Sequence, residues 1–373
     1  MSSSASPCSG PRDGTGRLPA AIREKVRNHP CYSESAHHHF ARMHVPVAPA
    51  CNIQCHYCNR KFDCCNESRP GVVSQLLKPE QAVEKVAVVA ARIPELAVVG
   101  IAGPGDPLAN PRRTLATCRM VRDRFPQLRL CLSTNGLRVL EHVEAIRELG
   151  IDHVTITINA IDAEIGAQIH PWIFTDHRRI HGVAGAQLLI ERQLAAVAAL
   201  AERGVLVKIN SVLIPEINAE HLPQVSRAVH QRGAFLHNIM PLIAEPEHGT
   251  HFGLTGERVP TTAELQAVQT QCAGDMAQMR HCRQCRADAI GFLGDDASEA
   301  SESSAAESSA GALAGSATGS AGDVYAMLAA GQRRTEALRQ AEAAALEAVA
   351  ATPASTPTPT PTSAKAATAA LEE

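Results

Sequence analysis

Between residues 29 and 293, short runs rich in Val, Ile and Leu alternate with longer stretches whose apolar positions recur at helical spacing. The short runs predict strands at Val45–Ala48, Ala97–Ala102, Arg129–Ser133, His153–Asn159, Leu206–Leu213 and Phe235–Met240. The longer ones predict helices over 79–93, 111–124, 138–149, 184–203 and 219–232. The first of these has Pro79 where a helix tolerates proline, at its first position, and places Val83, Val86, Ala90 and Ile93 on one face. A further helix is expected after Thr261, with Glu264 closing a capping box. Strand–helix repetition of this kind argues for a parallel sheet with covering helices. Six strands suit an open, partial (β/α)6 barrel, TIM-like but not closed.

The flanks read differently. Residues 1–28 are expected to be a flexible lead-in and residues 29–293 the folded core. In the tail, residues 294–373, Ser298–Ser320 is of low complexity and expected to be disordered. Asp323–Ala350 is alanine-rich enough for helix but poor in large apolar residues, and Thr352–Ser363 alternates Thr with Pro. No further folded domain is expected there.

Composition narrows the function. Hydrophobic residues make up 45% of the 373, so a large core is available, but aromatics are only 3%, so it must be aliphatic. A formal net charge of −3 offers no electrostatic footprint for nucleic acid or a membrane surface. No run of eighteen apolar residues appears, so no transmembrane helix is expected, and residues 1–16 lack the apolar stretch of a signal peptide. A cytoplasmic protein is therefore expected, in which clustered cysteines bind metal or do redox work more often than they form disulfides. There are 12 cysteines.

The strongest chemical signal is Cys51-Asn-Ile-Gln-Cys55-His-Tyr-Cys58, on the loop after the first predicted strand. Barrel-like α/β folds place their active sites at that end. Three thiolates so close together can each take one iron of a [4Fe–4S] cube, leaving the fourth iron open to ligand. A structural zinc loop is the alternative, although zinc sites more often use paired Cys-x2-Cys knuckles. After the triplet is assigned, Cys31, Cys64, Cys65, Cys131, Cys282 and Cys285 remain near other motif-like segments. Cys8, Cys118 and Cys272 read as non-ligands.

The triplet spacing is that of the radical S-adenosylmethionine (SAM) superfamily, and the flanks sharpen the resemblance. His29-Pro-Cys31-Tyr, Arg42-Met-His44-Val, Cys58-Asn-Arg-Lys-Phe-Asp-Cys64, Ala102-Gly-Pro-Gly-Asp-Pro-Leu-Ala-Asn110, Ser133-Thr-Asn-Gly136, Lys208-Ile-Asn210 and His281-Cys-Arg-Gln-Cys285-Arg-Ala-Asp288 together resemble the NifB family. The likeness covers about residues 28–293 and departs at the tail, where many members carry a carrier-like domain.

The resemblance implies a radical SAM barrel with Cys51, Cys55 and Cys58 on the SAM-binding cluster. It also implies two further [4Fe–4S] clusters as substrates, fused around a carbon drawn from SAM to give an iron–sulfur precursor of the nitrogenase cofactor. It suggests as their ligands one set of His44, Cys64 and Cys131 and another of Cys31, Cys282 and Cys285, with His29, His37 and His38 behind His44. Cys64 is preferred to Cys65 because it occupies the family position. Gly103, Gly105 and Asp106 correspond to the segment that binds the SAM amino group, and Tyr57 would pack beside the adenine. Ser133, Asn135, Thr157 and Asn159 carry hydroxyl and amide groups suited to the ribose and methionine ends, or else cap helices and turns. Glu67 and Arg69, just after the cluster loop, are candidates for proton or sulfide handling, or are simply solvated. Implied partners are a cluster donor protein, an electron donor and a cofactor scaffold or carrier, with no nucleic acid and no membrane. A radical SAM enzyme with auxiliary clusters acting on a peptide or small molecule is the alternative function, and a non-enzymatic zinc or cluster carrier a third.

Overall fold

The computed structural model describes residues 19–66, 69–73 and 75–293. The expectations for residues 1–18, for Glu67 and for the tail lie outside them. Within the expected lead-in a helix, α1 (Ala20–Val26), forms, with Val26 buried. It is fastened to the core by a 2.9 Å ion pair between Lys25 and Asp152.

The chain then runs β1 (Ala41–His44), β2 (Ile53–Gln54), α2 (Pro79–Arg92), β3 (Leu96–Ile101), α3 (Pro111–Arg124), β4 (Arg129–Thr134), α4 (Val143–Glu148) and β5 (His153–Thr157). It continues with α5 (Ala163–Ile169), β6 (Trp172–Thr175), β7 (Arg178–His181), α6 (Gly182–Glu202), β8 (Leu206–Leu213), α7 (Pro215–Asn218) and α8 (Leu222–His230). It closes with β9 (Leu236–Pro241), α9 (His251–Thr255), α10 (Thr262–Cys272) and β10 (Ile290–Gly291). The main sheet has the order β10-β1-β3-β4-β5-β8-β9. Its six strands from β1 to β9 are parallel, and β10 joins β1 antiparallel. This is the expected partial (β/α)6 barrel.

The expected elements appear within a few residues of their places, with two differences. The first strand is Ala41–His44, upstream of the expected Val45–Ala48, because its pairing with β3 runs through a buried Arg42 and His44 that read as surface residues. The expected helix over 138–149 is a single 3₁₀ turn at Val139–Glu141 followed by the short α4. The capping box forms as expected: Thr261 Oγ1 accepts from Glu264 N at 3.2 Å, and Glu264 accepts from Thr261 N at 2.8 Å. Not foreseen were β10, α1, α5, α7, α9 and a small antiparallel sheet of β2, β6 and β7 beside the cluster loop.

Among the described residues α6 is the one helix long and apolar enough to cross a bilayer. Its Ala186, Leu189, Ile190, Ala196, Val197 and Leu200 are buried. Inside that stripe Gln193 donates to the carbonyls of Asn135 and Thr157, at 2.7 and 2.8 Å, so the helix is a wall of the barrel.

Alternate residues of a strand face opposite ways. On one face of β4, β5, β8 and β9 lie Leu130, Leu132, Val154, Ile156, Val207, Ile209 and Ile239, all buried. The other face carries Cys131 and Ser133, His153, Thr155 and Thr157, Lys208 and Asn210, and Asn238, buried or half-buried. A parallel sheet covered on both faces is ordinarily apolar on both. This barrel has a polar lumen.

Candidate active site

The cluster loop is held at the C-terminal mouth of the strands by backbone contacts to the turn after β3. Gly105 N donates to Ala48 O and Asp106 N to Ala50 O, both at 2.7 Å. Only glycine fits at 105, because a Cβ there would stand 2.1 Å from Ala50 O. Gly103 is similarly tight against Ala287, at 2.9 Å. The Asp106 carboxylate points inward and accepts from Leu108 N, Thr134 Oγ1 and Asn135 N, at 2.8, 2.8 and 2.6 Å. Asn135 carries the linkage on: its Nδ2 donates to Asn52 Oδ1 at 2.7 Å and lies 3.8 Å from Cys51 Sγ.

Cys55 and Cys58 are buried and Cys51 half-buried, and their thiols interact with one another and with Cys64. Burial, and then the charge of Asp106, push the Cys51 thiol up to about 12. Burial, followed by the neighbouring thiols, raises Cys55 and Cys64. Cys58 alone is lowered, to about 7, chiefly by its hydrogen bond with Cys65 and further by Arg60. Cys65, set aside above, therefore acts on the triplet directly.

Thiols crowded in a buried loop are costly as bare anions. An iron–sulfur cluster supplies the missing positive charge, so the donor set fits a [4Fe–4S] group. Among the described residues no three His, Cys, Asp or Glu side chains converge on a point as ligands of a single ion. A cube does not require that, because each thiolate takes its own iron.

Tyr57 lies in the core, 1% exposed. Its hydroxyl donates to Asn66 Oδ1 at 2.7 Å and accepts from Asn159 Nδ2 at 2.8 Å, and it lies close to the Cys55 thiol. Asn66 O in turn accepts from Thr157 Oγ1 and Asn210 Nδ2, at 3.4 and 2.8 Å. Asn135, Asn159 and Tyr57 are thus braces of the cluster loop. Ser133 is buried at the end of β4.

The additional candidates fall in several places. His44, Gly100, Cys131 and His153 pair across successive strands, and the His44 ring lies over Gly100. Cys31, Cys282 and Cys285 share an apolar patch with Leu236, Met279, Ala289 and Leu293. Cys282 Sγ accepts from Asn238 Nδ2 at 3.3 Å. Cys64 is near enough to the triplet for its thiol to interact electrostatically with Cys58 and Cys51. His29 is buried against Tyr32 and His153, with ring centroids 4.6 and 4.3 Å away. His37 and His38 form part of a 3₁₀ turn, and His37 stacks on His281 at 5.1 Å. Arg69 is exposed, and its backbone amide donates to Gln284 O at 3.3 Å. Cys118 and Cys272 are buried in α3 and α10.

Sequence reasoning assigned no role to Arg42, Asn66, Gln193, Lys208, Asn210, Asn238 and Arg286, although several of them stand in the segments that carry the family resemblance. A signal existed for several of them: polar residues at every second position, as in His153-x-Thr155-x-Thr157-x-Asn159 and Lys208-x-Asn210.

The sequence profile of the radical SAM superfamily matches residues 45–229. The FeMo cofactor biosynthesis protein NifB of Bradyrhizobium diazoefficiens is 61% identical over 289 residues, 78% of this chain and 58% of that protein. The protein of the same name from Azotobacter vinelandii is 61% identical over 295 residues, 79% of this chain and 58% of that one. The one from Rhodobacter capsulatus is 63% identical over 272 residues, covering 73% and 60%. The chain thus spans less than two thirds of the length of these curated relatives.

Proposed function

Because this chain belongs to the NifB family of the radical SAM superfamily, we propose that it is a radical SAM enzyme that builds the iron–sulfur precursor of the nitrogenase cofactor. Its substrates are two [4Fe–4S] clusters, which are fused around a carbon taken from SAM. The observation that carries this reading is the buried polar lumen, which carries His44, Cys131, His153, Lys208 and Asn238 on its strands and meets the stretch after the cluster loop where Asn210 donates to Asn66 O. An inorganic, sulfide-rich substrate calls for such a wall, with thiolate and imidazole ligands and hydrogen-bond donors in a site closed to water.

Cys51, Cys55 and Cys58 hold the resident [4Fe–4S] cluster. Bound there, the cluster would supply the electron that cleaves one SAM reductively, and a second SAM would serve as the methyl donor. Asn135 steadies Cys51, and Tyr57 and Cys65 steady Cys55 and Cys58. The turn at Gly103, Gly105 and Asp106 and the strand ends with Ser133, Asn135, Thr157 and Asn159 form the SAM side of the mouth. Cys31, His44, Cys64, Cys131, Cys282 and Cys285 hold the substrate clusters. Glu67 and Arg69, just after the cluster loop in sequence, handle protons or sulfide. The reaction needs a cluster donor protein, an electron donor and a carrier for the product, all in the cytoplasm.

The test is anaerobic reconstitution with iron and sulfide, reduction with dithionite and addition of SAM. Both 5′-deoxyadenosine and S-adenosylhomocysteine should form, and extracted product should activate apo-nitrogenase. Deoxyadenosine without S-adenosylhomocysteine would leave a radical SAM enzyme but remove the methyl transfer.

A further inference from the structure

β1 and the segment that carries Cys282 and Cys285 grip each other through side chains far apart in sequence. Arg42, on β1, is 1% exposed. Its Nη1 donates to the carbonyls of Gly291 and Phe292 at 2.6 and 2.9 Å, and its Nη2 to Cys285 Sγ at 2.7 Å. Two residues on, His44 returns the connection. Its backbone amide donates to Ala289 O at 2.8 Å, and its Nδ1 lies 3.0 Å from Arg286 O. A carbonyl oxygen only accepts, so Nδ1 carries the proton and Nε2 is left as the nitrogen able to bind iron. The Arg286 side chain extends the grip to the stretch after the cluster loop. Its Nη2 donates to Val72 O at 2.8 Å and stands 3.7 Å from Asp63. The stretch that carries Cys64 is therefore tied to the same segment.

We propose that Arg42 is a positioning residue of the substrate-cluster site, acting through Cys285. Its guanidinium orients the Cys285 sulfur and offsets the charge that sulfur carries as a ligand. The same fork holds Gly291 and Phe292 in the register that aims His44. One rigid unit therefore sets Cys285 relative to His44, and with them the separation of the two substrate clusters before fusion. This rests on the reading of Cys285 and His44 as ligands. Hydrogen bonds from an ionised donor are the strong ones, and the forked geometry belongs to arginine and not to lysine.

The experiment compares R42K, R42M, C285A and the double variant R42M/C285A in the full chain after anaerobic reconstitution. Iron is counted per chain, and electron paramagnetic resonance is recorded with and without SAM. Pulsed spectra with ¹⁵N-histidine report the imidazole coupled to a cluster. R42M should lose up to one cube, about four irons, and weaken the histidine coupling. R42K should recover part of both. The SAM-responsive signal should be unchanged. Adding R42M to C285A should remove no further iron, because the two act as one unit.

Full iron and unchanged histidine coupling in R42M would overturn the proposal. So would an equal further loss of iron in the C285A background, which would mark Arg42 as a plain strut. If R42M fails to fold, R42K decides, and unchanged iron and coupling there overturn it. Full iron in C285A itself removes the reading of Cys285 as a ligand and the proposal with it. Deoxyadenosine formation by the wild-type chain tests the rest of that reading separately.

Discussion

Asp106, beyond the end of β3, accepts the backbone amide of Asn135, beyond the end of β4, at 2.6 Å. Through that bond the turn after β3 positions the side chain that reaches Cys51. Asp106→Ala leaves Leu108 N, Thr134 Oγ1 and Asn135 N without their acceptor in a buried site. At roughly 1–3 kcal/mol per orphaned group, the loss should be about 3 kcal/mol or more. Denaturant unfolding of the apo chain measures it, and a change within about 0.5 kcal/mol, as for an ordinary surface substitution, would contradict the role.

Cys55→Ala should abolish 5′-deoxyadenosine formation. A cube left with two thiolates from this loop is not held with its open iron facing SAM. Product chromatography decides the matter, and wild-type rates of SAM cleavage would remove the triplet assignment.

Changing Cys282 and Cys285 together to Ala should cost about four irons per chain, since a cube keeping one thiolate is lost. The SAM-responsive resonance should survive, because Cys51, Cys55 and Cys58 lie on a separate loop. Nitrogenase activation by extracted product should vanish. Full iron with retained activation would end both the ligand assignment and the cluster-fusion mechanism.

Gly105→Ala should displace the cluster loop, because the new methyl meets the backbone oxygen of Ala50 at 2.1 Å and neither chain can yield alone. We expect a loss of about 1–3 kcal/mol, typical of overpacking, together with weaker iron loading of the triplet. A variant with wild-type stability and loading would show that the turn can move aside.

His237 is fully buried, and burial lowers its pKa to about 3. The folded-state value lies below the unfolded one, so the unfolded chain binds the proton first. The neutral ring's contribution is present above the unfolded pKa and is lost as pH falls through the window from about 6.5 towards 3. Near pH 5 the loss from this one group is about 2 kcal/mol. His153 and His170, lowered by burial to about 3 and about 4, act in the same direction. His237→Gln should flatten the fall in unfolding free energy of the apo chain between about pH 8 and 5 by about that amount. An unaltered pH profile would count against it.

The repeating pattern of Leu206–Leu213 and of Pro79–Arg92 was legible because strand and helix periodicity are local properties, written within a dozen residues. Cys51, Cys55 and Cys58 were legible for the same reason, since ligands on one loop keep their spacing in the sequence. The tertiary structure alone decided that Arg42 and His44 are buried, that β1 lies upstream of the apolar run, and that Arg42 meets Cys285, 243 positions away. It also decided that Cys65 leans on Cys58, and that β10, two residues long, forms at all. Hydrophobic patterning measures what prefers to leave water, and it reads a buried arginine or histidine as surface. Inside this barrel those groups are held by partners from distant strands and segments, and such partners exist only once the chain has folded.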